Sequence, residues 1–436
     1  MADIRPSRLD KAEIEDNFAD LHPPLSRSEA LIEADRCYFC YDAPCTQACP
    51  TGIDIPSFIH KIRSDNIRGS AMTILTENIM GGMCARVCPT EVLCEEACVR
   101  NTHEDKPVEI GLLQRYSTDP VLGAGMQLFA RAESTGKRVA IVGGGPAGLS
   151  CAHRLAMLGH DVKVFNRDPR RGGLNEYGIA AYKTVDDFAQ REVDWILSIG
   201  GIEVEDEVEL GKDFSLSALR HAYDAVFLGI GLALVNDLNI DNEDLPGVEN
   251  ATDYIAELRQ AKDMSTLPVG RNVVVIGGGM TAIDIAVQSK RLGAEKVDLV
   301  YRRGPEDMSA SDFEQHLAQI SGVSVHHWLH PKTLIGDDHV SAVEFDKNGQ
   351  TVTMEADVVF KAIGQRLADR QLADELKGVD IEYGKIVVDE DQATTLPGVW
   401  AGGDCVVGGE DLTVSAVQHG KVAALAIDRY LGGDNG

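Results

Sequence analysis

The sequence predicts an α/β protein in which a cysteine-rich helical segment precedes two nested Rossmann-like domains. Three observations carry this. Eight of the ten cysteines lie between Cys37 and Cys98, the apolar run RVAIV passes straight into GGGPAGLS, and a second run, NVVVI, passes into GGGMTAID. An apolar strand that turns through glycines into a helix is the repeating unit of a parallel sheet with helices on both faces.

The elements follow in order. Residues 1–135 hold all the clustered cysteines and the helix-compatible stretches Pro56–Asn66 and Gly69–Ile79, so they read as one helical domain. Residues 136–265 open the first nucleotide-binding domain, 266–365 form the second, and 366–436 return to the first. The nesting rests on DAVFLGIG (Asp224–Gly231) and DVVFKAIG (Asp357–Gly364), which each place an apolar strand before a glycine. It rests also on VWAGGDC (Val399–Cys405), a late return of the glycine pattern.

A chain of 436 residues with 44% hydrophobic and 25% charged residues has the composition of an ordinary globular protein. Its formal charge of −28 argues against a nucleic-acid partner. The longest apolar stretch, around Ala225 to Val235, is too short to span a membrane. The N-terminal MADIRPSRLDKAEIEDNF is charged throughout and has no apolar signal region, so a cytoplasmic protein is expected.

The cysteines form C-x2-C-x4-C-x3-C-P (Cys37, Cys40, Cys45, Cys49) and C-x3-C-P-x4-C-x3-C (Cys84, Cys88, Cys94, Cys98). A reducing compartment disfavours pairing them as disulfides. Structural zinc usually takes two CxxC knuckles, whereas this run has one CxxC and two Cys-Pro steps. The ending Cys45-x3-Cys49-Pro50 matches bacterial ferredoxin runs, in which the last cysteine ligates the other cluster. Two [4Fe–4S] clusters are therefore preferred, with zinc as the lesser alternative.

In the first glycine unit Gly143 makes the tight turn, Gly145 admits a pyrophosphate, and Gly148 allows close helix–strand packing. The helix start at Pro146 and Ala147 offers amide donors to the phosphates. The next strand ends at Asn166 where an acidic residue would bind ribose; its side-chain carbonyl can still accept a hydroxyl, without charge assistance. FAD is the expected ligand, with Asp404 of AGGD toward its ribityl or phosphate region. Cys151 and Cys405 read as small core residues, and no CxxC follows Gly143, which argues against a dithiol reductase.

The second unit has Gly277, Gly279 and Ala282 in the equivalent places, with Met280 and Thr281 opening the helix. Its next strand, KVDLVY, ends in Arg302 and Arg303 with no carboxylate, which suits the 2′-phosphate of NADP(H) better than a bare ribose. NAD(H) stays open, and the arginines can equally be ordinary surface residues.

Taken together, RCYFCYDAPCTQACP, CARVCPTEVLCEEAC, EIGLLQR, VGGGPAGLSCA, GGLNEYGI, GGGMTAID and AGGD resemble the electron-input half of dihydropyrimidine dehydrogenase, from about Arg36 to the C-terminus. They are similar also to the small subunit of glutamate synthase. The five residues between Cys88 and Cys94 and the glutamine of IGLLQ point to the pyrimidine enzyme. The resemblance implies that Cys37, Cys40, Cys45 and Cys98 hold one cluster, and Cys49, Cys88, Cys94 and Gln114 the other, leaving Cys84 unliganded. Cys84 or His103 could instead complete the second set.

The resemblance further implies flavin contacts at Gly173, Leu174 and Gly403, and a basic residue near the isoalloxazine, for which Lys183 is the candidate; a plain surface lysine is the alternative. No stretch after AGGD accommodates a further ~250-residue barrel, so pyrimidine reduction is expected of a separate FMN-containing partner in a hetero-oligomer. Electrons would pass from NAD(P)H to FAD, through the two clusters, to that partner. The competing readings are a glutamate-synthase-like subunit feeding another acceptor, and a zinc-bearing sensor module.

Overall fold

The computed structural model describes residues 8–104, 106–368 and 370–432; the outer ends of the expected first and last domains, 1–7 and 433–436, lie outside them. Two compact units divide the chain.

One unit holds residues 22–176, 186–233 and 366–432. Its first part is helical, as expected, and each helix start has a local cause. Ser26 and Glu29 form a reciprocal capping box for Arg27–Asp35. Asp54 caps Ile55–Arg63, where Pro56 sits in the first turn, and Asn66 caps Ile67–Glu77. Their apolar faces, with Ile53, Ile55, Phe58, Ile59, Ile62 and Ile74, meet Leu113 of the helix Ile110–Gly123 and enclose Cys94.

The same unit continues into a five-stranded parallel sheet. Its order is Val399–Ala401, Ala225–Leu228, Arg138–Val142, Asp161–Asn166, Ile202–Asp206. Arg138–Val142 is buried in all but its first residue, as a strand covered on both faces must be. The returning strand Val399–Ala401 pairs in register with Val226–Leu228, so the late AGGD segment rejoins the first nucleotide domain as the sequence implied. The C-terminal helix Thr413–Tyr430 lies on Pro146–Met157, burying Ala147, Cys151, Leu155, Ala423 and Ile427 together. Both non-cluster cysteines, Cys151 and Cys405, are buried core residues.

The second unit holds residues 8–21, 177–185 and 234–365. Its parallel sheet runs Val248–Asn250, Val358–Ala362, Asn272–Gly277, Lys296–Val300, Ser324–His326. The unit begins at 234 rather than 266, because Val248–Asn250 pairs with Val359–Lys361 and the helix Ala251–Gln260 buries Tyr254, Ile255 and Leu258 in this core. Residues 8–21, expected with the helical domain, belong here too: Ile14 and Phe18 enter the same core, and Leu21 N–H donates to Tyr182 O at 2.9 Å. A three-stranded antiparallel meander, His330–Gly336, Val340–Lys347 and Gln350–Glu355, completes the unit. No helix among the described residues is long and apolar enough to cross a membrane.

Gly420 fixes the approach of the two packed helices in the first unit. A Cβ there would stand 2.1 Å from Ala147 O and 2.9 Å from Cys151 N, both rigid backbone atoms. Gly420→Ala is expected to destabilise the protein by about 2–3 kcal/mol through overpacking. An unchanged urea midpoint would show that these helices are not in this close register.

Candidate functional site

The first glycine turn is built by backbone contacts that exclude side chains. Gly143 has φ +106°, its N–H donates to Phe165 O at 2.8 Å, and a Cβ on it would meet Gly229 O at 2.2 Å. At Gly148 a Cβ would lie 2.0 Å from Gly143 O. Gly145 is the N-cap of Pro146–Met157 and supplies no side-chain bond, so the first-turn amides stay available to an anion. The expected flavin segments converge here: a Cβ on Gly173 would be 2.9 Å from Gly145 Cα, and one on Gly403 would be 3.3 Å from Ala147 Cβ. Leu174 follows, 39% exposed. Open space beside uncapped amides, walled by glycines, fits a dinucleotide pyrophosphate.

Asp404 adjoins this cradle. Burial pushes its carboxyl up to about 7, with the like charge of Asp411 adding to the effect.

Asn166 is held by more than its strand. Its Oδ1 accepts Gly144 N–H at 3.3 Å, and its Nδ2 donates to Asp168 O at 2.6 Å, Arg170 O at 3.3 Å and Asp206 Oδ1 at 3.1 Å. The amide is oriented by that network, with the oxygen toward the glycine turn. Asp206, one strand over and in register with Asn166, is paired with Arg171. A carboxylate at position 166 would face Asp206 directly, which is a physical reason for the neutral amide. Asp206 and Arg171 were not legible as part of the site, because their role depends on strand pairing.

The second glycine unit repeats the construction. A Cβ on Gly277 would meet Ala362 O at 2.2 Å, Gly279 is the N-cap of Met280–Arg291 without a side-chain bond, and Ala282 is fully buried. Met280 and Thr281 open that helix. Arg302 and Arg303 lie exposed in the loop after Lys296–Val300, where Trp328 N–H donates to Arg303 O at 3.1 Å.

Lys183 is buried, which excludes the plain surface lysine of the alternative reading. Its ammonium is buried and shared between Asp284 Oδ1 at 2.7 Å and Glu314 Oε1 at 2.6 Å. Burial alone would lower its pKa; the two carboxylates outweigh that and raise it. Neither partner was foreseen, since they lie about a hundred or more residues away.

The clustered cysteines are all free, and Cys37, Cys45, Cys49, Cys94 and Cys98 border one helical core. Burial raises the Cys37 thiol, and the like charges of Cys40 and Cys98 add to it. Cys45, pushed up to about 12 by burial, feels Cys37 and Cys98. Burial raises the half-buried Cys88 thiol, with Cys84, Cys94 and Cys49 adding to it, and buried Cys94 feels Glu95, then Cys49 and Cys45. Cys84 is buried beside Asn78, Glu192 and Cys49. Gln114 is buried with Nε2 donating to Gly81 O at 2.7 Å, at the start of the helix that carries Cys84. His103 is exposed. Among the described residues no three His, Cys, Asp or Glu side chains converge on a point that would hold a single ion. Thiols that repel one another as anions and are raised by burial suit a polynuclear iron–sulfur core, whose cationic irons stabilise the thiolates.

Two outcomes follow. Asn166→Asp is expected to cost about 1–3 kcal/mol, by losing a donor and facing Asp206, and Asp206→Asn in the same chain should restore part of it in thermal unfolding; an undiminished midpoint in the single variant would refute the network. The raised pKa of Asp404 means that the folded state favours its protonated form. That contribution is present at low pH and lost as pH rises through about 7. Asp404→Asn should therefore stabilise the ligand-free protein at pH 8 more than at pH 5, and equal effects at both would contradict the burial.

Residues 137–420 match the family model for pyridine nucleotide-disulphide oxidoreductases, and residues 14–125 match the model for dihydropyrimidine dehydrogenase domain II, 4Fe–4S cluster. Subunit PreT of NAD-dependent dihydropyrimidine dehydrogenase from Salmonella typhimurium is 36% identical over 95% of this chain and 98% of its own. The NADPH glutamate synthase small chain of Escherichia coli is 34% identical over 98% of this chain and 96% of its own. In fold, 68% of the chain superposes on 99% of the thioredoxin reductase of T. acidophilum, with a TM-score of 0.55 at 22% identity. The chain is thus an oxidoreductase with FAD and NAD(P) domains behind a 4Fe–4S domain. It belongs to the pyridine nucleotide-disulphide oxidoreductase family, in the branch that carries an N-terminal dihydropyrimidine-dehydrogenase-type cluster domain.

Proposed function

We propose that this chain is the electron-input subunit of a cytoplasmic NAD(P)H-dependent dihydropyrimidine dehydrogenase, working in a hetero-oligomer with an FMN-containing subunit that reduces uracil or thymine. The observation that carries it is that Cys37, Cys45, Cys49, Cys94 and Cys98 border one helical core within the same compact unit as the flavin-type glycine cradle. In this reading Cys37, Cys40, Cys45 and Cys98 hold one [4Fe–4S] cluster, and Cys49, Cys88, Cys94 and Gln114 the second. The bond from Gln114 Nε2 to Gly81 O supports an amide whose oxygen is oriented for iron. Gly143, Gly145, Pro146, Ala147, Gly148, Asn166, Gly173, Leu174, Gly403 and Asp404 would hold FAD; Gly277, Gly279, Met280, Thr281, Ala282, Arg302 and Arg303 would hold NADP(H) or NAD(H).

When bound, the flavin supplies the conversion of a two-electron hydride into single electrons that iron–sulfur clusters accept. The chain's own part is positioning and electrostatics: glycine backbones admit the phosphates, helix amides hold them, and the clustered thiols would hold iron. Lys183, committed to Asp284 and Glu314, acts as a structural ion pair in this reading.

The test is anaerobic titration with NADH and NADPH, alone and with an FMN-containing barrel subunit plus uracil. About eight irons per chain, and uracil turnover only with both subunits, are the expected results. Colourless, iron-free protein would sink the reading. Turnover with a glutamine-amidotransferase-bearing large subunit instead would support the glutamate synthase alternative, whose small chain is 34% identical. The fourth ligand is tested separately. Cys84→Ser should keep the full iron content, and Gln114→Cys should lower that cluster's potential, since a thiolate replaces a neutral oxygen. Iron loss in Cys84→Ser would assign the ligand to Cys84.

A further inference from the structure

Three consecutive residues of the C-terminal helix Thr413–Tyr430 touch three different segments of the same compact unit. His419 Nδ1 accepts Gly403 N–H at 3.2 Å, Gly420 lies against the backbone of Ala147, and Lys421 reaches into the cysteine-rich domain. The Lys421 ammonium donates to Thr51 O at 3.0 Å, Glu77 O at 3.1 Å and Glu77 Oε2 at 2.8 Å, with its side chain 12% exposed. All three of its donors are used.

Each partner has a place in the architecture. Thr51 is buried and closes on Cys49: its Oγ1 lies 3.3 Å from Cys49 Sγ, and Gly52 N–H donates to Cys49 O at 2.9 Å across the tight turn. Glu77 ends the helix Ile67–Glu77, where exposed carbonyls and the helix dipole favour a cation. Arg154, from the helix Pro146–Met157, donates to Thr76 O at 2.6 Å at that same helix end. Two cations from the nucleotide-binding helices therefore grip one helix end, and only Lys421 also holds the turn that carries Cys49.

We propose that Lys421 is a positioning residue for electron transfer, fixing the Cys49 turn relative to the flavin cradle and placing a positive charge beside the cluster that Cys49 ligates. This rests on the cluster assignment proposed above. The interaction is well suited to the task. One helix carries both the residues that touch the cradle and the lysine that holds the turn, and small displacements of reacting groups carry large rate costs. The charge acts in the same direction as the geometry, because a nearby cation stabilises the more negative, reduced form of a cluster.

The experiment compares wild-type protein with Lys421→Met, Lys421→Arg and Arg154→Met, reconstituted to equal iron. It reads the cluster potential by EPR-monitored redox titration, and the rates of flavin reduction and cluster reduction by anaerobic stopped flow with NADH. Lys421→Met should reduce the cluster about tenfold more slowly, at a lower potential, with flavin reduction unchanged. Lys421→Arg should recover both, and Arg154→Met, which leaves Thr51 held, should alter neither. Wild-type rate and potential in Lys421→Met would overturn the role, as would identical losses in Arg154→Met, which would reveal general domain docking. A wild-type protein that shows no reduced-cluster signal would remove the cluster reading itself, and this inference with it.

Discussion

Backbone-on-backbone contact at glycine is the constraint on which the molecule depends. Gly143 meets Gly229, Gly148 meets Gly143, and Gly420 meets Ala147, each at a separation that no Cβ could share. These contacts do two things at once. They bring the strand Arg138–Val142, the helix Pro146–Met157 and the helix Thr413–Tyr430 close enough to bury their alanine-rich faces. They also leave the amides of the first helical turn uncovered, since any side chain at Gly145 large enough to cap them would fill the space a phosphate needs. Packing and ligand binding are consequences of one geometric requirement, and the same requirement recurs at Gly277 against Ala362 in the second unit.

The cysteine-rich domain solves a different problem. Its helices are short and its core is modest, and into that core it places thiols whose ionised forms burial and mutual repulsion disfavour. Cys37, Cys45 and Cys94 pack as small residues among Ile53, Phe58, Ile74 and Leu113. Metal that binds thiolates must displace protons from the buried thiols, so cluster affinity and the stability of this domain are linked. The fold around them is held by means that do not need iron: capping at Ser26, Asp54 and Asn66, and Glu192, whose carboxylate accepts the amides of Gly82 at 2.8 Å and Met83 at 3.2 Å.

Much of this was legible because the decisive signals are local. The strand–glycine–helix runs at Gly143 and Gly277, the return at Val399–Ala401 and the helices near Pro56 and Gly69 each depend on residues close together in the chain. What escaped depends on distance. The strand Val248–Asn250 has three residues and acquires meaning only by pairing with Val359–Lys361. Residues 8–21 look like a helical preface, yet Phe18 packs on Tyr182. Asp206 becomes part of the first cradle only because its strand runs in register with Asn166. Lys421 reads as one lysine on a long amphipathic helix until Thr51 and Glu77 are brought to it.

The buried group around Lys183 shows how much of a charge's setting comes from residues distant in the chain. An ammonium that follows a flavin-type loop invites a role at the ring, but the residues flanking it are built to dock. Ala180 N–H donates to Asp284 Oδ2 at 3.3 Å, Ala181 N–H to Gln288 Oε1 at 3.0 Å, and Tyr182 O–H to Asp284 Oδ1 at 3.4 Å. Tyr182 itself is completely buried beneath the Arg291 guanidinium. Apolar burial alone would let the segment 177–185 slide along the helix Met280–Arg291, because one small residue packs much like the next. A lysine flanked by two carboxylates has one satisfactory register, since any slip leaves buried charges unpaired, at a cost of several kcal/mol. The ion group therefore contributes specificity of docking more than net stability, and it does so on the helix whose N-terminus offers the second phosphate site.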